Sequence, residues 1–548
     1  MTDTDRPLLT DPALLDDLRS DLDAAAFTVG GVEQVLGPFA SAALHREQPV
    51  PALLATGGLT AAEAARAGSD PCATLLRAFV LGAPVSRAAV AAALPTLGVA
   101  GAERLGLLTA AGQDAGDTVR ARVDLRPYEA VDGAGTIDWW IASDLGELAT
   151  RGALRPDHVL GVGGASTTLA QVTVRHHRRR TLDLGTGCGI QALHAARHSD
   201  RVTATDISAR ALAFTRFNAA LAGIADRVDL REGSLLDPVR GEQFDLVVSN
   251  PPFVITPRTP ASGSGSGSAS GDGRGPDGPV VPLYEYRDAG RTGDAVVSDL
   301  VTSVGDVLAP GGVAQLLGNW EVRRGERWDE RVGAWLDASG LDGWVVQREL
   351  QDPAEYAETW IRDGGTTPDR DPEAWAARYR AWLDDFASRD VEAIGFGFVV
   401  LRRPEAGAAG QGTTRLRRLE EVTGTVQQPL GPTIGASLAA HTWLAVRDDA
   451  ALAAERLLVS GDVTEERYLR PGDVDPQVVL LRQGGGLGRT VQSGTALAGL
   501  VGACDGELTV GQIAGALGVL LDVEVADVLA DVLPAVRGLV RDGLLLPA

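Results

Sequence analysis

The chain contains no lysine, and all 50 of its basic residues are arginine. With abundant alanine, glycine and valine beside them, this points to a GC-rich genome more than to a function. Cysteine is nearly as scarce. Cys72, Cys188 and Cys504 are too few and too scattered for a disulfide framework, and their spacing does not suit zinc. Long apolar runs are missing as well. The longest, such as Phe398–Leu401 and Val478–Leu481, are strand length, far short of the roughly 20 residues a membrane span needs. The acidic N-terminus lacks the basic-then-apolar order of a secretory signal, and no repeat of fixed period is present. These absences predict a cytoplasmic protein with neither metal nor membrane span.

The 548 residues are too many for one core, so two to four domains are expected. The net charge of −23 is unevenly spread, since residues 151–260 hold 14 arginines against 10 acidic residues. An acidic whole repels nucleic acid at long range, while a locally basic face can still bind it.

Residues 11–127 are rich in alanine and leucine and read as helical, with a turn at Gly57-Gly58 and a break at Pro84. Ser86–Leu94 reads as a helix and Thr118–Leu125 alternates like a strand, which suggests a helical, winged-helix-like domain over 1–130. From Thr181 the pattern becomes strand-helix-strand. Expected strands are Thr181–Gly185, Arg201–Ile207, Arg227–Gly233, Phe244–Ser249, Gly312–Gly318, Gly343–Leu350 and Glu392–Arg403, with helices at Ile190–His198 and Ala209–Ala222. Seven strands separated by helices imply an α/β, doubly wound, Rossmann-like core over 140–404, its last strand antiparallel at or near an edge. Two insertions interrupt it: a Gly/Ser-rich flexible stretch at 257–282 and a helical hairpin at 353–388. The hairpin carries Trp360, Trp375 and Trp382, read mainly as packing against the sheet. Ala406–Thr413 reads as a linker. Residues 426–548 form a mixed C-terminal domain whose last part, Ser493–Leu546, again looks winged-helix-like.

The strongest local signal is Thr181-Leu-Asp-Leu-Gly-Thr-Gly-Cys-Gly-Ile190, an apolar strand that runs into three alternate glycines and then a helix. Glycines there allow a sharp turn and close approach of backbone to a ligand. Asp206 follows Gly189 by 17 residues, at the end of the next strand, where a carboxylate can accept both ribose hydroxyls of an adenosine. Dinucleotide enzymes use G-x-G-x-x-G with the pyrophosphate on the helix N-terminus. Here the third glycine comes one residue early, and Asp183 would repel a pyrophosphate. A carboxylate at that position suits an ammonium group instead. S-adenosylmethionine has such a group and no phosphate. The competing readings are a nicotinamide site and a plain tight turn.

The second signal is Phe244-Asp-Leu-Val-Val-Ser-Asn250-Pro251-Pro252-Phe253. Two prolines stop the strand, fix its backbone and remove two N–H donors. The Asn250 side-chain oxygen and the Pro251 carbonyl can together accept both hydrogens of one planar NH2 group, and Phe253 offers a flat face to stack on it. The bland alternative is a strand that merely ends in Pro-Pro.

LDLGTGCG, then TATD, then FDLVVSNPPF in that order resembles the class I S-adenosylmethionine-dependent N-methyltransferases. The likeness covers residues 155–320 well and reaches 403 loosely. It is nearest to the group of release-factor glutamine methyltransferases and small-methyltransferase-domain enzymes acting on ribosomal or transfer RNA. The resemblance implies a methyltransferase core that binds S-adenosylmethionine through Asp183, Gly185, Thr186, Gly187, Gly189, Asp206, Ile207, Ser234, Leu235 and Asn250. Asp183 and the glycines would line its methionine end, Asp206 its ribose, and the segment Gly233–Leu235 its adenine. It makes Asn250, Pro251, Pro252 and Phe253 the catalytic motif. It also implies a macromolecular substrate, either a protein of the translation machinery or RNA. Two departures stand out: Ser234 replaces the acidic residue of many relatives, and Val159–Thr168 replaces an Arg-Pro-Glu-Thr-like element of the release-factor enzymes.

The run Arg175-His-His-Arg-Arg-Arg180 is read as a charged turn entering the first core strand, with a phosphate-binding surface as the alternative. It sits opposite the ligand end of the sheet, and His176 and His177 are not read as metal ligands. The expectation is a methyltransferase of planar NH2 nitrogen, with a slight lean to protein glutamine over RNA amine. The rival of another class is a scaffold whose methyltransferase core binds the cofactor without catalysis.

Overall fold

The computed structural model describes residues 8–60, 63, 70–132, 135–150, 154–258, 281–288, 290–405 and 415–548. Of the insertion read at 257–282, all but its first two and last two residues lie outside the described residues, as does the linker at 406–413. The chain forms two compact units, residues 1–170 with 177–403, and residues 171–176 with 404–548.

Seven strands of the first unit lie consecutively in one sheet. They are β1 Arg178–Leu184, β2 Ser199–Asp206, β3 Val228–Glu232, β4 Phe244–Ser249, β5 Leu308–Arg323, β6 Asp342–Gln351 and β7 Val391–Arg402. Their order is β3-β2-β1-β4-β5-β7-β6. Strands β1 to β5 pair in parallel, and β7 runs antiparallel to both β5 and β6. The expected antiparallel strand is therefore β7, enclosed between β5 and β6. The parallel strands need crossovers, which helices such as α1 (Ile190–Ala196) and α2 (Ala209–Leu221) supply. β4 is apolar and ends at its Pro-Pro, so its bounds match the sequence reading. β1 begins three residues earlier than read, because Arg178–Arg180 belong to the strand. Only Arg175–His177 of the run precede the strand: Arg180 pairs with Glu242, and the Arg179 and Arg180 N–H groups donate to Asp245 Oδ2 at 2.9 and 3.0 Å.

The N-terminal elements share their core with this sheet. Helices Pro12–Ala24 and Val29–Leu44 are followed by Pro71–Leu75, Arg87–Ala93 and Gly98–Leu105. Strands Val85–Ser86, Leu108–Ala110 and Thr118–Ala121 make a three-stranded sheet with Thr118–Ala121 in the middle. Leu18, Leu22, Phe27, Leu76 and Phe79 form one apolar cluster with Phe214 and Phe217 of α2. Each side chain so buried contributes about 1.5–3 kcal/mol. A hairpin, Asp124–Asp132 with Gly135–Ser143, joins the two parts. Trp140 Nε1 donates to the Phe27 carbonyl at 2.6 Å on one side. On the other, buried Asn218 of α2 exchanges hydrogen bonds with the backbone of Ala142, both at 2.8 Å.

Between β6 and β7 the chain makes the helices Pro353–Asp363 and Pro372–Ala387. Trp382, Tyr356, Phe386 and Ile361 pack there against Val254 and Ile255. The second unit closes its own core with helices Thr495–Gly502, Val510–Leu521 and Val525–Arg541. Among the described residues, no helix is long and apolar enough to cross a membrane.

Candidate active site

β1 and β4 release their following segments side by side. Leu184 and Ser249 are registered partners, and the Ser249 hydroxyl donates to the Leu184 carbonyl at 2.7 Å. From this pair the sheet continues to β2 on one side and to β5 on the other. Open α/β sheets bind ligands at such a reversal, beyond the carboxyl ends of the strands.

The segment after β1 turns through Gly185, Gly187 and Gly189, with φ of 73°, 57° and 90°. A Cβ on Gly189 would strike Thr215 of α2 at 2.9 Å, whereas one on Gly187 would meet nothing within 4 Å. The backbone at Gly187 thus borders open space. Asn218 Nδ2 donates to the Cys188 carbonyl at 2.7 Å and fixes the loop from behind. The Thr186 hydroxyl donates to Asp183 Oδ2 at 2.6 Å. Asp183 is 1% exposed, and burial pushes its carboxyl up to about 7 against the bonds from Thr186 and the Ala192 N–H.

Asp206, at the end of β2, accepts the Gly187 N–H on Oδ2 at 3.0 Å and the Ser208 N–H on Oδ1 at 2.9 Å. Each oxygen keeps a lone pair for another donor. Burial raises this carboxyl too. Beside it Ile207 is 61% exposed, an apolar side chain left in solvent at the rim. The Gly233 N–H donates to the Asp206 carbonyl at 2.9 Å. This brings the segment after β3 alongside, with Ser234 exposed and Leu235 in the left-handed region at φ 45°. The glycines, Asp206, Ile207 and Ser234 therefore lie in neighbouring segments at the ends of β1, β2 and β3, with Asp183 buried in β1 just before the glycine loop.

Asn250 follows β4. Its side-chain Oδ1 is buried and meets no hydrogen-bond donor among the described residues. An orphaned buried acceptor costs about 1–3 kcal/mol, so it calls for an explanation. The Pro251 carbonyl accepts the Phe253 N–H at 2.8 Å and retains its second lone pair. Pro252 and Phe253 are half-buried.

The residues that hold this corner were not legible as site residues. Phe253 makes an isolated antiparallel bridge to Asp288, and the Val254 N–H donates to the Arg287 carbonyl at 3.1 Å. The Asp288 carboxylate accepts the Thr256 hydroxyl on one oxygen and the Tyr284 N–H at 2.7 Å on the other. Arg287, 3% exposed, lies over the Tyr284 ring and donates to Asp363 Oδ2 at 2.7 Å. Deeper, the Ile255 N–H donates to the Tyr356 hydroxyl at 3.0 Å, and Asn319 Nδ2 donates to the same oxygen at 2.7 Å. On the cofactor-loop side, Asp144 takes a bidentate pair from Arg210 of α2 and the Val159 N–H at 2.9 Å. Gln191 of α1 donates to the Ser166 carbonyl at 2.7 Å. The segment Val159–Ser166 is so laced to both helices that flank the glycine loop. His177 lies elsewhere, paired with Asp200 at 2.9 Å on the surface. No cluster able to hold a metal ion occurs among the described residues.

Residues 161–261 match the family model described as methyltransferase small domain. Residues 24–122 and 436–547 match two models described only as domains of unknown function. The chain is similar to the release factor glutamine methyltransferase of Deinococcus radiodurans, 39% identical over 144 residues, covering 26% of this chain and 46% of that protein. It is 30% identical over 205 residues to the ribosomal protein uL3 glutamine methyltransferase of Bradyrhizobium diazoefficiens, covering 36% and 59%. It is also 36% identical over 80 residues to the tRNA1(Val) (adenine(37)-N6)-methyltransferase of Actinobacillus pleuropneumoniae, covering 14% and 34%. The chain thus spans about half the length of the first two relatives. The segment that carries the glycine loop and Asn250 is of the S-adenosylmethionine-dependent methyltransferase class. The relatives it resembles there are named as glutamine methyltransferases and an adenine N6-methyltransferase.

Proposed function

We propose that the chain transfers a methyl group from S-adenosylmethionine to a planar NH2 nitrogen of a macromolecule, a protein glutamine amide in the first instance. The observation that carries this reading is the buried Asn250 Oδ1, which meets no donor among the described residues and lies beside the Gly185–Gly189 loop. Asp206 would accept the ribose hydroxyls on its spare lone pairs. Ile207 would pack on the apolar face of the adenosine, and Ser234 and Leu235 would border the adenine. Asp183, with Thr186 bonded to it, would favour the methionine ammonium from within the strand. The open space at Gly187 is where a side chain would otherwise fill the approach.

The bound cofactor supplies an electrophilic methyl group, and the chain's own residues supply the alignment. An amide or aryl NH2 is a poor nucleophile because its lone pair is delocalised. Asn250 Oδ1 and the Pro251 carbonyl take its two hydrogens, fix the nitrogen and favour the more electron-rich, pyramidal geometry of the transition state. Phe253 stacks on the planar group. The surplus proton leaves after transfer, so no general base is required. The acidity of the chain and its two glutamine-methylating relatives support a protein substrate. The tRNA-modifying relative supports an exocyclic base amine as the second reading.

The test is transfer of a labelled methyl group into a lysate, followed by separate protease and nuclease digestion. Label released by protease and identified as N-methylglutamine is the expected result. Label released by nuclease selects the RNA reading. Cofactor binding without transfer to either polymer makes the chain a scaffold.

A further inference from the structure

The second unit leaves an apolar surface that its own fold does not use. Helix Val525–Arg541 buries Val528, Val532, Leu533, Val536, Leu539 and Val540, which together with the neighbouring helices closes the core. The end of helix Val510–Leu521, the short turn after it and the first residue of Val525–Arg541 present five further branched apolar side chains within seven consecutive residues. They are Val519 (86% exposed), Leu520 (78%), Leu521 (37%), Val523 (45%) and Val525 (38%). Scattered exposed apolar residues need no explanation, whereas a contiguous group of this kind marks an interaction site.

The charge around it narrows the occupant. Asp522, Glu524 and Asp527 are interleaved with the apolar group and exposed, and the sequence has no basic residue between Arg489 and Arg537. A second copy of the chain would bring the same carboxylates to face these. RNA and an anionic membrane surface would bring phosphates. Both meet like charge at short range, which disfavours them. A protein segment that carries apolar side chains on one face and arginine or lysine beside them satisfies both features. We infer that the helix-turn-helix corner Val519–Asp527 docks a basic, amphipathic segment of a partner protein. This surface is independent of the methyl-transfer reading.

The full-length chain is titrated against a fluorescent leucine–lysine peptide with its leucines at helical spacing, and against a scrambled peptide of the same composition. The patterned peptide is expected to bind in the micromolar range, more tightly than the scrambled one, and less tightly as salt rises. The double variant Val519→Asp, Leu520→Asp is expected to weaken it about ten-fold or more, although it adds two charges that attract the peptide. Leu520→Ser, which changes no charge, is expected to act in the same direction. Asp522→Asn with Asp527→Asn is expected to lower affinity and flatten its salt dependence. Unchanged or tighter binding by the aspartate double variant would mean that charge alone holds the peptide, and would overturn the inference. So would displacement of the peptide by single-stranded RNA. A dimer in sedimentation that Leu520→Ser converts to monomer would replace the partner with a second copy.

Discussion

The two halves of the site are held in different ways. The segment after β1 is fastened by residues of β1, β2 and α2, close by in sequence: Asp206 to Gly187, Thr186 to Asp183, Thr215 and Asn218 to the carbonyls of Gly187 and Cys188. The segment after β4 is fastened from outside, by Asp288 and Arg287 from beyond the insertion and by Tyr356 from the helical hairpin. The first half is a local device that many ligand-binding sheets share. The second is assembled from parts distant in sequence, and there a family can change its substrate while keeping its cofactor.

This contrast is open to experiment. The largest effect is expected from Asn250→Ala, which removes one of two proposed acceptors and leaves the glycine loop intact. Methyl transfer should fall by two or more orders of magnitude, on the order of 3 kcal/mol, with cofactor affinity within a few-fold. Full turnover in this variant would remove the Asn-Pro-Pro-Phe assignment. Asp206→Ala should do the reverse, weakening cofactor binding in calorimetry by about 1.5–3 kcal/mol. An unchanged Kd would take Asp206 out of the site.

A smaller effect is expected from Asp288→Asn, which keeps the shape but loses an acceptor for either the Thr256 hydroxyl or the Tyr284 N–H. Turnover should drop by roughly ten-fold while cofactor affinity holds, since only the outer fastening of Phe253 is loosened. Equal loss of both would show that the two halves are not separable.

The smallest effect concerns pH. Burial raises the Asp183 carboxyl from 3.8 to about 7, so the unliganded fold favours its protonated form. That contribution to stability is complete below the ordinary carboxylate range and is lost as pH rises through about 7. A cationic ligand favours the carboxylate. Cofactor affinity should therefore rise a few-fold between about pH 6 and 7.5, with proton release on binding. Asp183→Asn should flatten that profile, and a profile identical to that of the unmodified chain would place the titration elsewhere.

What the sequence disclosed follows the same division. β4 is legible to the residue because an unbroken apolar run ends in two prolines. The glycine loop and Asp206 are legible because one short stretch contains both the turn and its neighbours. The start of β1 is hidden by Arg178–Arg180; the charges of Arg179 and Arg180 are met by Asp245 and Glu242, more than 60 residues away. The hairpin Asp124–Ser143 carries an Asp132-Gly133 turn signal, but Pro127 and frequent charges mask its alternation. Tyr284–Asp288 follows a Gly/Ser-rich stretch, and nothing in its own residues says that it reaches back to Phe253. Likewise, Asn218 reads as one more polar position on a helix. Its value lies in bridging the hairpin to Cys188, which periodicity does not reveal.

The unpaired Asn250 oxygen also has a bearing on how many methyl groups one nitrogen receives. Two acceptors at this corner are satisfied by a nitrogen that still has two hydrogens. Once methylated, the same nitrogen has a single hydrogen, and one acceptor must go without. Returning the product to the site then restores the deficit that the substrate had cancelled. On the proposed reading, the hydrogen count of the substrate acts as a stop after the first transfer, and the chain leaves monomethylated product without a separate device to eject it.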